Sequence, residues 1–351
     1  MYTNATNKRI YAGLVAIGGG APISIQSMLC AHAHDIEGNV AQALTLQEAG
    51  CDIVRVSVPD IETIKTVEAL KNNITIPLVA DIHFDWRLAI ESVAAGVDKV
   101  RINPGNIGDD DKVREVARVC KAKNIPIRIG VNSGSLEKEI LAKHGSATPD
   151  AMVESGLYHI SLLEKYDFDD IVLSLKSSDP QRMYDAYVKA SECCRYPLHL
   201  GVTEAGTENM GVIKSSAAIG GLLLRGIGDT LRISLTDDPL KEVQAAKKLL
   251  KAIGIRRDGI KFVSCPTCGR TEIDLIGLAH AAEKRFANVN KDITVAIMGC
   301  VVNGPGEASA ADIGIAGGKD CGVIFKGGKI LYNKVPEDKL LDLLEQEINK
   351  M

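Results

Sequence analysis

Aromatic residues are scarce in this chain of 351 residues: Phe, Trp and Tyr together make up 4%, and Trp86 is the single tryptophan. A core so poor in rings must be aliphatic, and hydrophobic residues do reach 46%, which suits an α/β protein better than a β-sandwich. Long apolar runs are missing as well. The most apolar helical stretch, Ser215 to Leu224, is short and ends at Arg225, well under the roughly 18 residues of a membrane span. Met1 to Ile10 is polar and has no signal-like apolar centre, so a cytoplasmic location is expected. There is no excess of positive charge; the formal net charge of −4 disfavours nucleic acid as the main partner. Nine cysteines are many for such a chain, but the odd number disfavours a disulfide framework. Cys51, Cys120, Cys193 and Cys194 fall on helical or strand-entry segments and read as ordinary thiols.

From Ile23 to about Gly254 a short β-branched strand is followed, again and again, by an amphipathic helix. The pattern predicts strands over Ile23–Met28, Ile53–Val58, Pro77–Phe84, Lys99–Pro104, Ile125–Asn132, Ile171–Ser177, Leu198–Glu204 and Thr230–Leu235. Apolar residues at helical spacing predict helices over Ile36–Ala49, Trp86–Ala95, Lys112–Lys123, Gln181–Cys194 and Leu240–Ala252. Asp85 and Asp179 are placed to cap two of them, and Pro239 suits a first turn. The connection from Ser133 to Asp170 has room for two helices. Eight such units without a topological break are most simply a closed (β/α)8 TIM barrel. An open doubly wound sheet is the alternative, but its first loop should carry a Gly-rich phosphate fingerprint. Gly18-Gly19-Gly20 precedes the first strand instead, and reads as the turn of an N-terminal hairpin that plugs the barrel floor.

Chemistry in such barrels gathers at the C-terminal ends of the strands. Those ends carry Arg55 and Ser57, Asp81 and His83, Arg101 and Asn103, Arg128 and Asn132, Lys176, His199 with Glu204, and Arg232 with Ser234. Arg55, Arg101, Arg128, Lys176 and Arg232 put a cation on five of the eight strands. Charges are seldom buried unpaired, and few acids share these strands, so a multiply anionic ligand is expected, with phosphate oxygens suited to the Arg forks. The competing reading is a ring of structural ion pairs with Asp81, Glu204 and loop acids. Glu204 itself reads either as an acid or base beside a cationic pocket or as a partner for an arginine. His32, His34, His144, His159 and His280 show no interpretable spacing, and solvent exposure is expected for them.

Past the polar hinge Ile255-Arg256-Arg257-Asp258 the pattern changes to a smaller α+β module, so the chain divides into a barrel over 1–254 and a second domain over 255–351. Strands are predicted over Lys261–Ser264, Ile293–Met298 and Asp312–Ile315, helices over Thr271–Phe286 and Glu337–Asn349, and a hairpin around Gly327-Gly328. The first strand runs into Cys265-Pro-Thr-Cys268, and the second into a Gly/Pro loop carrying Cys300 and, seven residues on, Glu307. Three thiols are one short of the usual set for an Fe–S cluster or structural zinc, and Glu307 is the candidate fourth ligand. Zinc on the same residues and a Cys-x2-Cys redox dithiol are the alternatives; the dithiol leaves Cys300 unexplained. At the level of function the rivals are a phosphosugar- or pterin-binding barrel with a zinc-stabilised tail, and an Fe–S electron carrier whose barrel is only a scaffold.

Across essentially its whole length the sequence resembles the 4-hydroxy-3-methylbut-2-enyl diphosphate synthases, iron–sulfur enzymes of the non-mevalonate isoprenoid route. The resemblance rests on Ile25-Gln26-Ser27-Met28, Val79-Ala80-Asp81-Ile82-His83-Phe84, Arg101-Ile102-Asn103-Pro104-Gly105-Asn106, Gly130-Val131-Asn132, Leu200-Gly201-Val202-Thr203-Glu204-Ala205-Gly206, Ser264-Cys265-Pro266-Thr267-Cys268-Gly269-Arg270 and the run from Met298 to Glu307. It implies a 4Fe-4S cluster on Cys265, Cys268, Cys300 and Glu307, in a domain of ferredoxin/sulfite-reductase-like fold. It implies reductive ring opening and dehydroxylation of 2-C-methyl-D-erythritol 2,4-cyclodiphosphate in the barrel. Arg55, Arg101, Arg128 and Lys176 would meet the diphosphate, with Asn103, Asn132, Arg232 and Ser234 nearby, and Glu204 would give a proton near the departing hydroxyl. It also implies a homodimer in which one subunit's cluster domain covers the other's barrel mouth, with electrons arriving singly from flavodoxin or ferredoxin. One stretch departs: after Met28 the family continues with several threonines, where this chain has Leu29-Cys30-Ala31-His32-Ala33-His34.

Overall fold

The structure is a computed structural model that describes residues 7–103, 105–300, 310–319 and 321–351. It comprises two compact units, residues 1–253 and 254–351.

The first unit opens with a tight hairpin, β1 (Ile10–Ala12) and β2 (Val15–Ile17). The barrel strands follow as β3 (Ser24–Met28), β4 (Ile53–Ser57), β5 (Leu78–Asp81), β6 (Lys99–Ile102), β7 (Ile127–Asn132), β8 (Ile171–Lys176), β9 (His199–Leu200) and β10 (Thr230–Leu231). They pair in parallel in the order β8-β7-β6-β5-β4-β3-β10-β9, and a bridge between Leu173 and Leu198 joins the two ends of that row. All eight predicted barrel strands are present, because strands covered on both faces must read as near-continuous aliphatic runs. The last two shrink to two residues each.

Between the strands lie α1 (Ile36–Glu48), α2 (Ile64–Asn73), α3 (Trp86–Ala94), α4 (Asp110–Lys123), α5 (Lys138–His144), α6 (Pro149–Glu164), α7 (Pro180–Cys193), α8 (Glu208–Leu224) and α9 (Pro239–Ala252). Their starts are set by side chains. Asp35, Asp85, Asp109, Thr148, Asp179 and Asp238 each accept a backbone N–H of the first turn, an interaction that contributes about 1 kcal/mol apiece. Proline in the first turn of α6, α7 and α9 costs nothing there, since that N–H has no partner in the helix.

The hairpin does close the floor: Ile10, Ala12 and Ile17 pack with Ile53, Val79 and Val172 of the strands. Its turn, however, is Gly13-Leu14, where Gly13 takes φ +54, and not Gly18-Gly19-Gly20, which come after β2. Asn7 and Lys8 extend the contact, with Asn7 donating to Asp229 at 2.9 Å and the Lys8 N–H to the Arg195 carbonyl at 2.8 Å.

The second unit is a mixed sheet of β11 (Lys261–Ser264), β12 (Thr294–Met298), β13 (Ile313–Gly318), β14 (Cys321–Lys326) and β15 (Lys329–Pro336), in that order. Helix α10 (Leu275–Arg285) and the final helix α11 (Leu340–Asn349) bury Leu278, Ala282, Leu340, Leu344 and Ile348 against Val295, Ile297, Ile313, Ile315 and Ile324. Helix α10 begins four residues later than its predicted start because Asp274 caps it. None of the helices described is long and apolar enough to cross a membrane.

Candidate active site

At the C-terminal ends of the barrel strands lies a cavity of about 470 Å³. Arg55, Arg101, Arg128, Lys176 and Arg232 all line it, as do Asn103, Asn132 and Ser234. Alternation along the strands explains the convergence: Met28 and Arg55, Asp81 and Arg101, and Arg101 and Arg128 are Cα partners in successive pairs, so their side chains point to one side, into the barrel.

The cations are not equivalent. Asp81 lies between Arg101, whose Nη1 is 3.0 Å from it, and Arg55, whose Nε is 3.6 Å away. Burial opposes ionisation of Asp81, but Arg55, Arg101 and Arg128 outweigh it and hold the carboxyl well below the usual carboxylate range. Arg101 reaches across β7 at Gly130, where a Cβ would lie 2.5 Å from the Arg101 Nε; only glycine leaves that path open. Arg232 is clamped at 2.9 and 3.0 Å by both oxygens of Glu242 on α9. That carboxylate also accepts the Ser27 hydroxyl at 2.9 Å and the Leu235 N–H at 3.0 Å. The Met28 sulfur accepts from Arg55 at 2.8 and 3.2 Å and lies 3.6 Å from Arg232.

Arg128 and Lys176 are different. Arg128 is 1% exposed, and its Nε and Nη1 have no hydrogen-bond partner among the described residues. No carboxylate pairs with Lys176 among the described residues. Burial, reinforced by neighbouring cations, pulls the pKa of both well down. Lys99, His199 and Gln26 are fully enclosed as well, and their side-chain polar atoms likewise have no hydrogen-bond partner among the described residues. An enclosed cationic site whose own carboxylates are taken up elsewhere is a receptor for an anion.

Asp81, His83, Met28, Asn106, Ser135, Ser174 and Thr203 also line the cavity and were not singled out by sequence as binding residues. Asp81 and His83 stood at a strand end and were legible as such. Glu242 had no local signal; its pairing depends on α9 packing beside β3 and β10. Glu204 follows the lining residue Thr203 but does not itself line the cavity; it is exposed, with φ +52, a backbone state that costs a non-glycine residue about 1 kcal/mol or more. Among the histidines expected in solvent, His159 is completely buried on Glu137, and His144 is held by Glu154. Exposure is the default only when no partner is found, and both found one through tertiary packing.

In the second unit, Cys265 and Cys268 follow β11 and Cys300 follows β12, neighbouring parallel strands. The loops are tied together: the Gly299 N–H points to the Cys265 sulfur at 3.3 Å and the Glu272 N–H to the Gly299 carbonyl at 3.1 Å. Hydrogen bonds from Arg270 lower the pKa of the Cys268 thiol, favouring thiolate. All nine cysteines are unbridged. Among the described residues no three His, Cys, Asp or Glu side chains are gathered as ligands for a single metal ion, and Glu307 lies outside the described residues.

Residues 7–247 match the family described as the GcpE TIM-barrel domain, and residues 261–350 the GcpE protein C-terminal domain. The chain is 55% identical to the 4-hydroxy-3-methylbut-2-en-1-yl diphosphate synthase (flavodoxin) of Clostridium perfringens, over 96% of each chain. It is 53% identical to the protein of the same name from Listeria monocytogenes, over 97% of this chain and 92% of that one. Among solved structures, the 3-dehydroquinate dehydratase of Geobacillus kaustophilus (TM-score 0.52, 15% identity, 72% of this chain and 100% of that one) has a similar fold. So has the Yersinia pestis dihydropteroate synthase (TM-score 0.51, 15% identity, 70% and 97%). At that identity they speak for the barrel alone, whereas the two matched domains and the relatives sharing over half of their residues place this chain in the GcpE family.

Proposed function

We propose that this protein forms (E)-4-hydroxy-3-methylbut-2-enyl diphosphate from 2-C-methyl-D-erythritol 2,4-cyclodiphosphate, by reductive ring opening and dehydroxylation. The observation that carries this reading is the barrel cavity, where five basic side chains converge, Asp81 and Glu242 pair with Arg55, Arg101 and Arg232, and among the described residues no carboxylate pairs with Arg128 or Lys176. Arg128, Lys176, Arg55 and Arg101 hold the diphosphate, and their fixed positive charge stabilises the negative charge that grows as the ring bond to phosphate breaks. Arg232, Asn103, Asn132 and Ser234 orient the carbon skeleton beside it. Glu204, next to the lining residue Thr203, supplies the proton with which the hydroxyl leaves as water.

Cys265, Cys268, Cys300 and Glu307 are assigned to a 4Fe-4S cluster. The donor chemistry fits: three unbridged thiols stand on two loops joined by hydrogen bonds, and Cys268 is biased toward thiolate. When bound, the cluster supplies single electrons at low potential. Flavodoxin, named for the relatives, is the proposed electron source, with ferredoxin an equivalent one-electron carrier. We assign the working form to a homodimer in which the cluster domain of one subunit serves the barrel of the other.

The test is anaerobic. The purified protein should contain iron and sulfide, show cluster absorption and paramagnetic resonance that change on addition of the cyclodiphosphate, and consume it with a low-potential reductant. Protein that remains free of iron and sulfide after anaerobic reconstitution, or that holds the cluster and leaves the cyclodiphosphate untouched, overturns the assignment.

A further inference from the structure

The turn after β6 brings Asn103 and Asn106 to the cavity. It is held by its own hydrogen bonds, the Gly105 N–H to the Asn103 side-chain oxygen at 3.1 Å and the Asn106 N–H to the Asn103 carbonyl at 2.9 Å. What it rests on comes from elsewhere in the chain. His159 of α6 is 0% exposed, and its Nε2 lies 2.5 Å from an oxygen of Glu137, the residue before α5. A Cβ on Gly105 would lie 2.9 Å from the His159 ring and 3.5 Å from Glu137, so the turn sits directly on this pair with no room for a side chain. Glu137 also follows the short turn Ser133–Ser135, which runs on from Asn132, and both Asn132 and Ser135 line the cavity. One polar pair, its histidine fully buried, therefore touches or adjoins two of the loops that shape the mouth.

His159 is fully buried while the Glu137 side chain keeps 23% of its exposure, and a polar side chain enclosed in this way is costly unless it does something a hydrophobic one would not. Hydrogen bonding and packing fix the imidazole in one orientation, and the carboxylate is held ionised, its pKa about 2, because the bond from His159 overcomes burial. With the carboxylate ionised, Nε2 must be the donor.

We propose that Glu137 and His159 are positioning residues for the substrate, a rigid seat that fixes the Gly105 turn so that Asn103 and Asn106 meet the ligand in the barrel. The inference rests on the reading of the cavity as the cyclodiphosphate site. Neither residue touches the ligand; each acts through the turn. Loss of the seat therefore weakens binding of substrate and transition state alike, and raises KM with kcat little changed.

Three variants test this in the cluster-loaded enzyme. In Gly105→Ala the pair stays intact but the turn is pushed off it; in His159→Leu the seat loses its polar contact; in His159→Gln an amide N–H replaces the imidazole donor. We expect KM to rise about tenfold or more in Gly105→Ala and His159→Leu, with kcat within about threefold of the parent, and His159→Gln to stay near the parent. Amide hydrogen exchange of residues 105–108 without substrate should quicken in the first two and not in the third. This second readout is independent of the reaction: if the parent enzyme does not bind the cyclodiphosphate, the functional reading fails while exchange still reports on the seat. Unchanged exchange and KM in a folded Gly105→Ala overturns the proposal, as does a loss confined to kcat. Should His159→Leu not fold, Gly105→Ala and His159→Gln decide the matter.

Discussion

Replacing Glu242 by glutamine would remove one negative charge at a point where four donors converge. Glu242 is 2% exposed and accepts from the Arg232 Nε and Nη2, the Ser27 hydroxyl and the Leu235 N–H. A glutamine offers one oxygen in place of two, and its amino group faces donors, so about half of these bonds lose their acceptor. Removing one partner of a buried pair destabilises by roughly 3–5 kcal/mol, much of it the cost of a guanidinium left uncompensated. The assay is selective by nature, because Trp86 is the single tryptophan and lies in the first unit, so its fluorescence in urea follows the barrel alone. Glu242→Gln should lower barrel stability by about 3 kcal/mol or more. The double variant Arg232→Met with Glu242→Leu should recover only the share due to the uncompensated guanidinium, because the Ser27 hydroxyl and the Leu235 N–H still lose their acceptor. If Glu242→Gln unfolds at the same urea concentration as the parent, Arg232 does not depend on Glu242, and the distinction between paired and free cations at this site is wrong.

Other outcomes follow from the same geometry. Arg128→Met should weaken substrate binding about 100-fold with little loss of barrel stability, because among the described residues no carboxylate is hydrogen-bonded to its buried Nε and Nη1; unchanged affinity by calorimetry would contradict this. Lys99→Met should stabilise the barrel by about 1–3 kcal/mol, as the enclosed amine has no hydrogen-bond partner among the described residues, and a destabilised variant would mean that it has one. Burial raises Asp229 to about 6 despite bonds from the Leu198 N–H and the Asn7 side chain, both to the same oxygen. A raised acid means that the native state holds the proton more tightly, so this residue costs stability as pH rises from about 4 through 6, by roughly 3 kcal/mol in full. Asp229→Asn keeps one oxygen for both donors, and should therefore be more stable than the parent near pH 8 but not near pH 4 in thermal melts; an equal gain at both would refute the assignment.

Much of the barrel was legible because parallel strands covered on both faces leave an unbroken aliphatic signature, and because helix starts such as Asp85 and Asp179 announce themselves locally. Arg55, Arg101, Asn103, Arg128, Asn132, Lys176, Arg232 and Ser234 line the cavity because alternation along a strand is a local rule, whereas Ser57, His199 and Glu204, named at the same strand ends, are not among its lining residues. The failures were non-local. Gly13-Leu14 makes the hairpin turn that three consecutive glycines advertised more loudly. His159 became a core residue only because Glu137, 22 positions away in sequence, meets it. Glu242 was invisible as the partner of Arg232, since nothing in a helix pattern says which strand its carboxylate will face.

The hydrophobic hairpin at the barrel floor has a kinetic consequence. With Ile10, Ala12 and Ile17 filling the lower end, the vessel is one-ended: whatever enters by the rim must depart by the rim. On the proposed function, newly made diphosphate then stands in the doorway of the next molecule, so product should act as a competitive inhibitor, and its escape, rather than bond breaking, is a natural place for turnover to be limited.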